Sequence, residues 1–169
     1  MRHGAAQRGF SLVELMVTIA VVALTMVLAA PSFGNATRGA RERSVVQKLV
    51  QDFAWARGAA VAGDAAAFGA SAGAATVVLT LKSDCSWTTT VNGTANDAHS
   101  LTSAQLATVA PGLGCTATSP ALPAAFAFTS QGFVSSTGSV TCTSASGQTF
   151  TLTILYSGSV LRSSPGMQS

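Results

Sequence analysis

Residues Phe10–Ala30, FSLVELMVTIAVVALTMVLAA, carry one charge, Glu14, and are otherwise apolar apart from Ser11, Thr18 and Thr25. Wound as an α-helix, this stretch reaches about 31 Å, enough for a hydrocarbon layer of about 30 Å. A short polar leader, MRHGAAQRG, precedes it with Arg2 and Arg8 and no acid. Positive charge on that side predicts a cytoplasmic N-terminus and export of everything after Pro31. From 34 to 62 the apolar positions thin out to Val46, Leu49, Val50, Phe53, Ala56, Ala60 and Val61, joined by Arg57, at spacings of three and four. That is helical periodicity, with a stripe suited to packing on a sheet. Gly34 and Gly39 weaken the joint between the two segments, and Pro31 removes one helical hydrogen bond, so one long helix with a soft joint is expected, with Pro31 as its candidate break. Trp55 falls off the stripe, beside Lys48, Gln51 and Ala59. It reads either as a ring covered by a loop or as an exposed aromatic that touches neighbouring subunits.

The pattern then changes period. Runs at Thr76–Leu81, Ala125–Thr129, Ser139–Thr143, Phe150–Tyr156 and Ser159–Leu161 alternate small polar with apolar residues, as half-buried strands do. Asn92-Gly93, Pro111-Gly112, Gln131-Gly132, Gly147-Gln148 and Ser157-Gly158 punctuate them as turns. The stretch 83–115 is weakly patterned and reads as a long loop. A helix followed by short antiparallel strands is an α+β arrangement.

Composition sharpens this. The 169 residues are 48% hydrophobic and 9% charged, with mean hydropathy +0.43. The length suits one domain plus an appendage. Charge far below the roughly 25% of an ordinary soluble domain argues against a cytosolic globule, and the apolar content argues against disorder. A third of residues 71–164 are Ser or Thr, in keeping with an exported domain. The net charge of +3 does not by itself indicate nucleic-acid binding. Arg38, Arg41, Arg43, Lys48 and Arg57 make the region after the anchor the most basic, which reads as juxtamembrane charge and a solvated helix face.

Candidate chemistry is sparse. The exported acids Glu42, Asp52, Asp64, Asp84 and Asp97 are scattered, and no nucleophile–base constellation or phosphate-binding glycine loop is present, so neither catalysis nor a cofactor is expected. His99, near Asp97, reads as loop surface. Without a CxxC pair, no metal site is expected. Asn92-Gly93-Thr94 matches a glycosylation tripeptide, uninformative here. The three cysteines, Cys85, Cys115 and Cys142, imply one disulfide and one thiol in an oxidising compartment. Cys85–Cys115 would close the 83–115 loop, and Cys115–Cys142 would pin it to the sheet; the sequence leaves both open.

The first thirty residues admit two plain readings, a cleaved secretory signal and an uncleaved anchor. The apolar run is long for the first, and Ala29-Ala30-Pro31 is a poor cleavage site. Neither explains Glu14, a carboxylate that is costly in an apolar layer unless something pairs with it. No basic residue within the helix can do so, which points to another chain.

Arg8-Gly9-Phe10-Ser11-Leu12-Val13-Glu14-Leu15 resembles the class III signal of type IV prepilins and type II secretion pseudopilins. The resemblance covers residues 8–33 and implies cleavage after Gly9 by a prepilin peptidase, methylation of the new N-terminal Phe10, an assembly role for Glu14, and Pro31 as the end of the membrane part. It implies a pilin-like α+β fold with residues 1–9 as leader and 10–33 as transmembrane and filament-core helix. Residues 34–169 would form a periplasmic domain, helical to about 62 and β-rich thereafter, packed on a small antiparallel β-sheet. The expected location is the inner membrane, single-pass, and then a pilus or pseudopilus; the expected partners are other pilins, minor pilins or pseudopilins. Within this family Ala29-Ala30-Pro31-Ser32-Phe33, the Ala-Arg-Gly-Ala-Ala-Val at 56–61 and Tyr156–Arg162 are similar to the minor pilins FimT/FimU and to pseudopilin H. Some such relatives take up DNA through arginines after the last-strand glycine. Here Ser159 follows Gly158 and Arg162 alone remains as a DNA contact, few for useful phosphate affinity.

Overall fold

The computed structural model describes residues 11–63 and 76–163. Gly9 and Phe10 lie outside the described residues, as does Asp64. The chain divides into two units, Met1–Arg38 and Gly39–Ser169, and helix α1, Leu12–Ala62, contributes to both.

In the first unit the backbone is helical from Leu12 onward. The long helix is present as expected: α1 runs through Pro31 without interruption, so the candidate break there does not occur. A proline lacks the N–H donor, but its fixed φ is close to the helical value, so the turns on either side can carry it. Among the described residues no helix is long and apolar enough to cross a membrane. The apolar side chains that are described, Leu12 to Val27, cover about 24 Å of helix against a layer of about 30 Å.

In the second unit α1 buries Glu42, Val45, Val46, Leu49, Asp52, Phe53, Ala56, Ala59 and Ala60. Phe53 meets Phe126 edge-on at 5.2 Å and Phe128 at 6.1 Å. The expected stripe is therefore shifted: Val61 is exposed and Arg57 also faces outward. Two antiparallel four-stranded sheets, where one was expected, make up the β part. The strands are β1 (Val77–Leu81), β2 (Trp87–Val91), β3 (Thr94–Ala95), β4 (Gly114–Ala117), β5 (Ala124–Phe128), β6 (Gly138–Thr143), β7 (Thr149–Ile154) and β8 (Val160–Ser163). The first sheet runs β3-β2-β1-β5 and the second β4-β6-β7-β8. Inward positions alternate along β1, β2, β5 and β7, with Leu79, Trp87, Phe126 and Leu152 among the most buried residues.

The stretch 83–115 is not a loop. It holds β2, β3, a 3-10 turn at Asp97–His99 and helix α2, Ser103–Val109. Asn96 caps the turn by accepting from the Ala98 N–H. Thr102 caps α2: its side chain accepts from the Gln105 N–H while the Gln105 side chain accepts from the Thr102 N–H. This reciprocal pair satisfies two donors that a helix start leaves orphaned.

Glycine is required where the second unit's turns meet α1. Gly132 and Gly158 have φ of +82° and +73°, and a Cβ on Gly158 would lie 2.6 Å from the Gly132 carbonyl oxygen and 3.1 Å from the Arg57 side chain. Only a residue without a Cβ fits between that carbonyl and the stem of Arg57.

Candidate assembly helix and the polar and sulfur clusters beneath it in sequence

The first turns of α1 form without help from a core. The Ser11 carbonyl accepts from the Leu15 N–H at 3.1 Å, and the Ser11 hydroxyl accepts from the Val13 N–H at 3.2 Å, so the helix start is capped locally. Thr18 and Thr25 donate to the Leu15 and Val22 carbonyls at 2.8 and 2.9 Å. Both hydroxyls are thereby satisfied within the helix and present no unpaired donor to an apolar environment. The large apolar side chains point outward on every face, with exposures from 49% at Val22 to 75% at Leu12. An all-round apolar helix is stable only when lipid or protein covers it. Glu14 sits in its first turn, exposed, with no hydrogen bond or ion pair among the described residues.

In the second unit a polar cluster joins α1 to the first sheet. Asp52 is buried at 3% exposure. Its Oδ2 accepts from Lys48 Nζ at 2.6 Å and from Trp87 Nε1 at 2.8 Å, and its Oδ1 lies 3.0 Å from His99 Nδ1. Lys48 also donates to the Ala98 carbonyl at 3.2 Å and lies 5.5 Å from the centre of the Trp87 ring. Trp55 stacks on His99 at 3.7 Å. Of the two readings of Trp55, the structure has the ring covered, and His99 is a half-buried partner of Asp52, not loop surface. Sequence reasoning missed Asp52, although its i,i+4 spacing from Lys48 was a signal. Its bonds tie α1, β2 and the 3-10 turn together. Glu42 is fully buried, and neither of its carboxylate oxygens has a hydrogen-bond partner among the described residues.

Asp84 organises the turn between β1 and β2. Its Oδ1 accepts from the Ser86 N–H and hydroxyl at 3.0 and 2.6 Å, and its Oδ2 accepts from the Ser103 hydroxyl at 2.6 Å. Partial burial pushes the carboxyl upward, but the bonds from Ser103 and Ser86, with the Lys82 charge, outweigh it and hold it below the ordinary carboxylate value.

Cys85 and Cys115 are joined as a disulfide, and Cys142 is a buried free thiol. All three sulfurs lie within 4.8 Å of one another. Two of them are bonded to each other, so the cluster as it stands does not offer three thiolates to a metal. Burial pushes the Cys142 thiol up to about 12. Arg162, on β8, is exposed with its guanidinium 5.4 Å from the Phe150 ring centre.

Against known proteins, residues 4–30 match the family described as the Prokaryotic N-terminal methylation motif. That match supports a type IV pilin-like or pseudopilin class, acting in pilus or secretion assembly with other pilin subunits after prepilin peptidase processing, and membrane anchoring by the N-terminus. The search of curated proteins found no match, and the search of solved structures found none.

Proposed function

We propose that this chain is a minor pilin that takes part in assembly of a type IV pilus. The observation that carries the reading is the methylation motif over 4–30 continuing into a helix whose apolar side chains are exposed on every face. In this reading the prepilin peptidase cuts after Gly9, Phe10 becomes the methylated N-terminus, and Phe10–Ala30 holds the subunit in the inner membrane as a single pass. The N-terminus is cytoplasmic, and residues 34–169 lie in the periplasm. The helix then leaves lipid for a bundle of like helices, where close van der Waals packing replaces lipid contact. Glu14 accepts the charge of a neighbour's Phe10 amine, which relieves the cost of a lone carboxylate in an apolar bundle. Service as a pseudopilin H-like subunit of type II secretion uses the same helix and the same pairing. Capture of DNA rests on Arg162 alone and has less support.

Glu14→Ala tests the mechanism. The variant should be inserted and processed as the wild type is, with Phe10 at its mature N-terminus by mass spectrometry, yet its recovery in sheared filaments should fall at least tenfold. Normal recovery of the variant would refute the pairing. A mature N-terminus other than Phe10 in the wild type would refute the class of function itself.

A further inference from the structure

The three cysteines are shared between different elements of the second unit. Cys85 lies in the turn between β1 and β2, which belongs to the first sheet, whereas Cys115 and Cys142 lie on β4 and β6 of the second. The Cys85–Cys115 bond is therefore a staple between sheets. A second partner for Cys115 stands within contact distance. Cys115 and Cys142 face each other across the β4–β6 ladder, and Cys142 Sγ lies 2.7 Å from Cys115 Sγ. The Cys115 N–H donates to the Ser83 carbonyl at 2.9 Å, away from β6. Cys115 and Cys142 thus form a non-hydrogen-bonded cross-strand pair, the closer kind, with Cα atoms about 4.5 Å apart. That separation falls within the range of about 4.4–6.8 Å that a disulfide spans without backbone movement.

We propose that the second unit carries an internal thiol–disulfide exchange site, in which Cys142 attacks Cys115 and moves the bond from Cys85–Cys115 to Cys115–Cys142. The Cys142 sulfur, having lost its proton, forms a bond to Cys115 Sγ; the Cys85–Cys115 bond breaks, and Cys85 leaves as a thiolate and takes up a proton. One disulfide and one thiol are present before and after, so no oxidant or reductant is consumed. Cys115 is the sulfur common to both states. The consequence is mechanical: one state clamps the β1–β2 turn to the second sheet, and the other rungs the second sheet internally. In that second state the Cys115 N–H bond to Ser83 is left as the local link to the turn. Burial of the Cys142 thiol keeps the attacking thiolate scarce, which makes the exchange slow.

The full-length protein in detergent, purified without reductant, tests this. It is incubated at neutral pH, quenched in mild acid, unfolded and alkylated with N-ethylmaleimide without leaving mild acid, then mapped by chymotryptic mass spectrometry, which separates the three cysteines. The label should divide between Cys142 and Cys85, with Cys115 unlabelled throughout. In Cys142→Ser the Cys85 label should be lost, because Cys85 then has no route out of its bond. In Cys85→Ser exported to the same oxidising compartment, whose oxidant makes the wild-type bond, Cys115 and Cys142 should both be protected as a new disulfide. Label confined to Cys142 in the wild type after prolonged incubation would overturn the proposal. So would joint labelling of Cys85 and Cys115, which would report simple reduction. The wild-type measurement does not depend on the folding of either variant.

Discussion

Asp52 is a buried carboxylate of the second unit with three side-chain partners. It accepts from Lys48 and from the Trp87 indole, and His99 completes its set at 3.0 Å. A buried carboxylate is tolerated where such partners compensate its lost hydration. Removing it strands the Trp87 N–H and an ammonium group that is partly buried. Asp52→Ala should therefore destabilise the protein by about 3 kcal/mol, measured by denaturant unfolding followed through Trp fluorescence. A loss under about 0.5 kcal/mol would place the stability of this region in the packing of Phe53 and Trp87 instead. The pairing of Lys48 and Asp52 is legible in their spacing along one helix face. The depth at which it sits is not, because that depends on β2, which reaches α1 from 35 residues away in sequence.

At the scale of elements, the long apolar helix and most of the strands follow from periodicity, while the stretch 83–115 does not. Its strands are short and rich in Thr, and α2 presents one buried apolar residue, Leu106. A single apolar position carries no period. Its signal was instead the capping pair Thr102 and Gln105. Asp84 ties this stretch together by accepting from Ser86 beside β2 and from Ser103 in the first turn of α2. Because its folded carboxyl is held below the ordinary value of 3.8, its contribution to stability is fully present above that value. It is lost as the pH falls through the lowered value. Asp84→Asn should lower the melting temperature at pH 7, and the gap to wild type should close in acid below 3.8. A gap that stays constant into acid would show that the hydrogen-bond geometry, and not the charge, is what the turn needs.

For the whole molecule, the two units answer to different environments. The first is an apolar helix with the hydroxyls of Thr18 and Thr25 satisfied and its described large side chains exposed. The second buries its own core and carries the disulfide. Cleavage after Gly9, in the proposed function, removes Arg2 and Arg8 and takes the side-chain charge from +3 to +1. The mature subunit is then nearly neutral, and its association would rest on apolar packing and the Glu14 pair more than on long-range charge.

The local order of residues alone determined the class of helix at the N-terminus, the methylation motif matched over residues 4–30, the place of Glu14 within the apolar run, and the α+β order of elements. All of these depend on spacing along one chain segment, where period and motif are directly readable. Only the tertiary structure decided that Cys115 pairs with Cys85 while lying against Cys142, that two sheets form where one was expected, and that Trp55 is covered by His99. Each of these depends on segments distant in sequence being brought to one place. No local pattern encodes which of several compatible contacts the packed core selects.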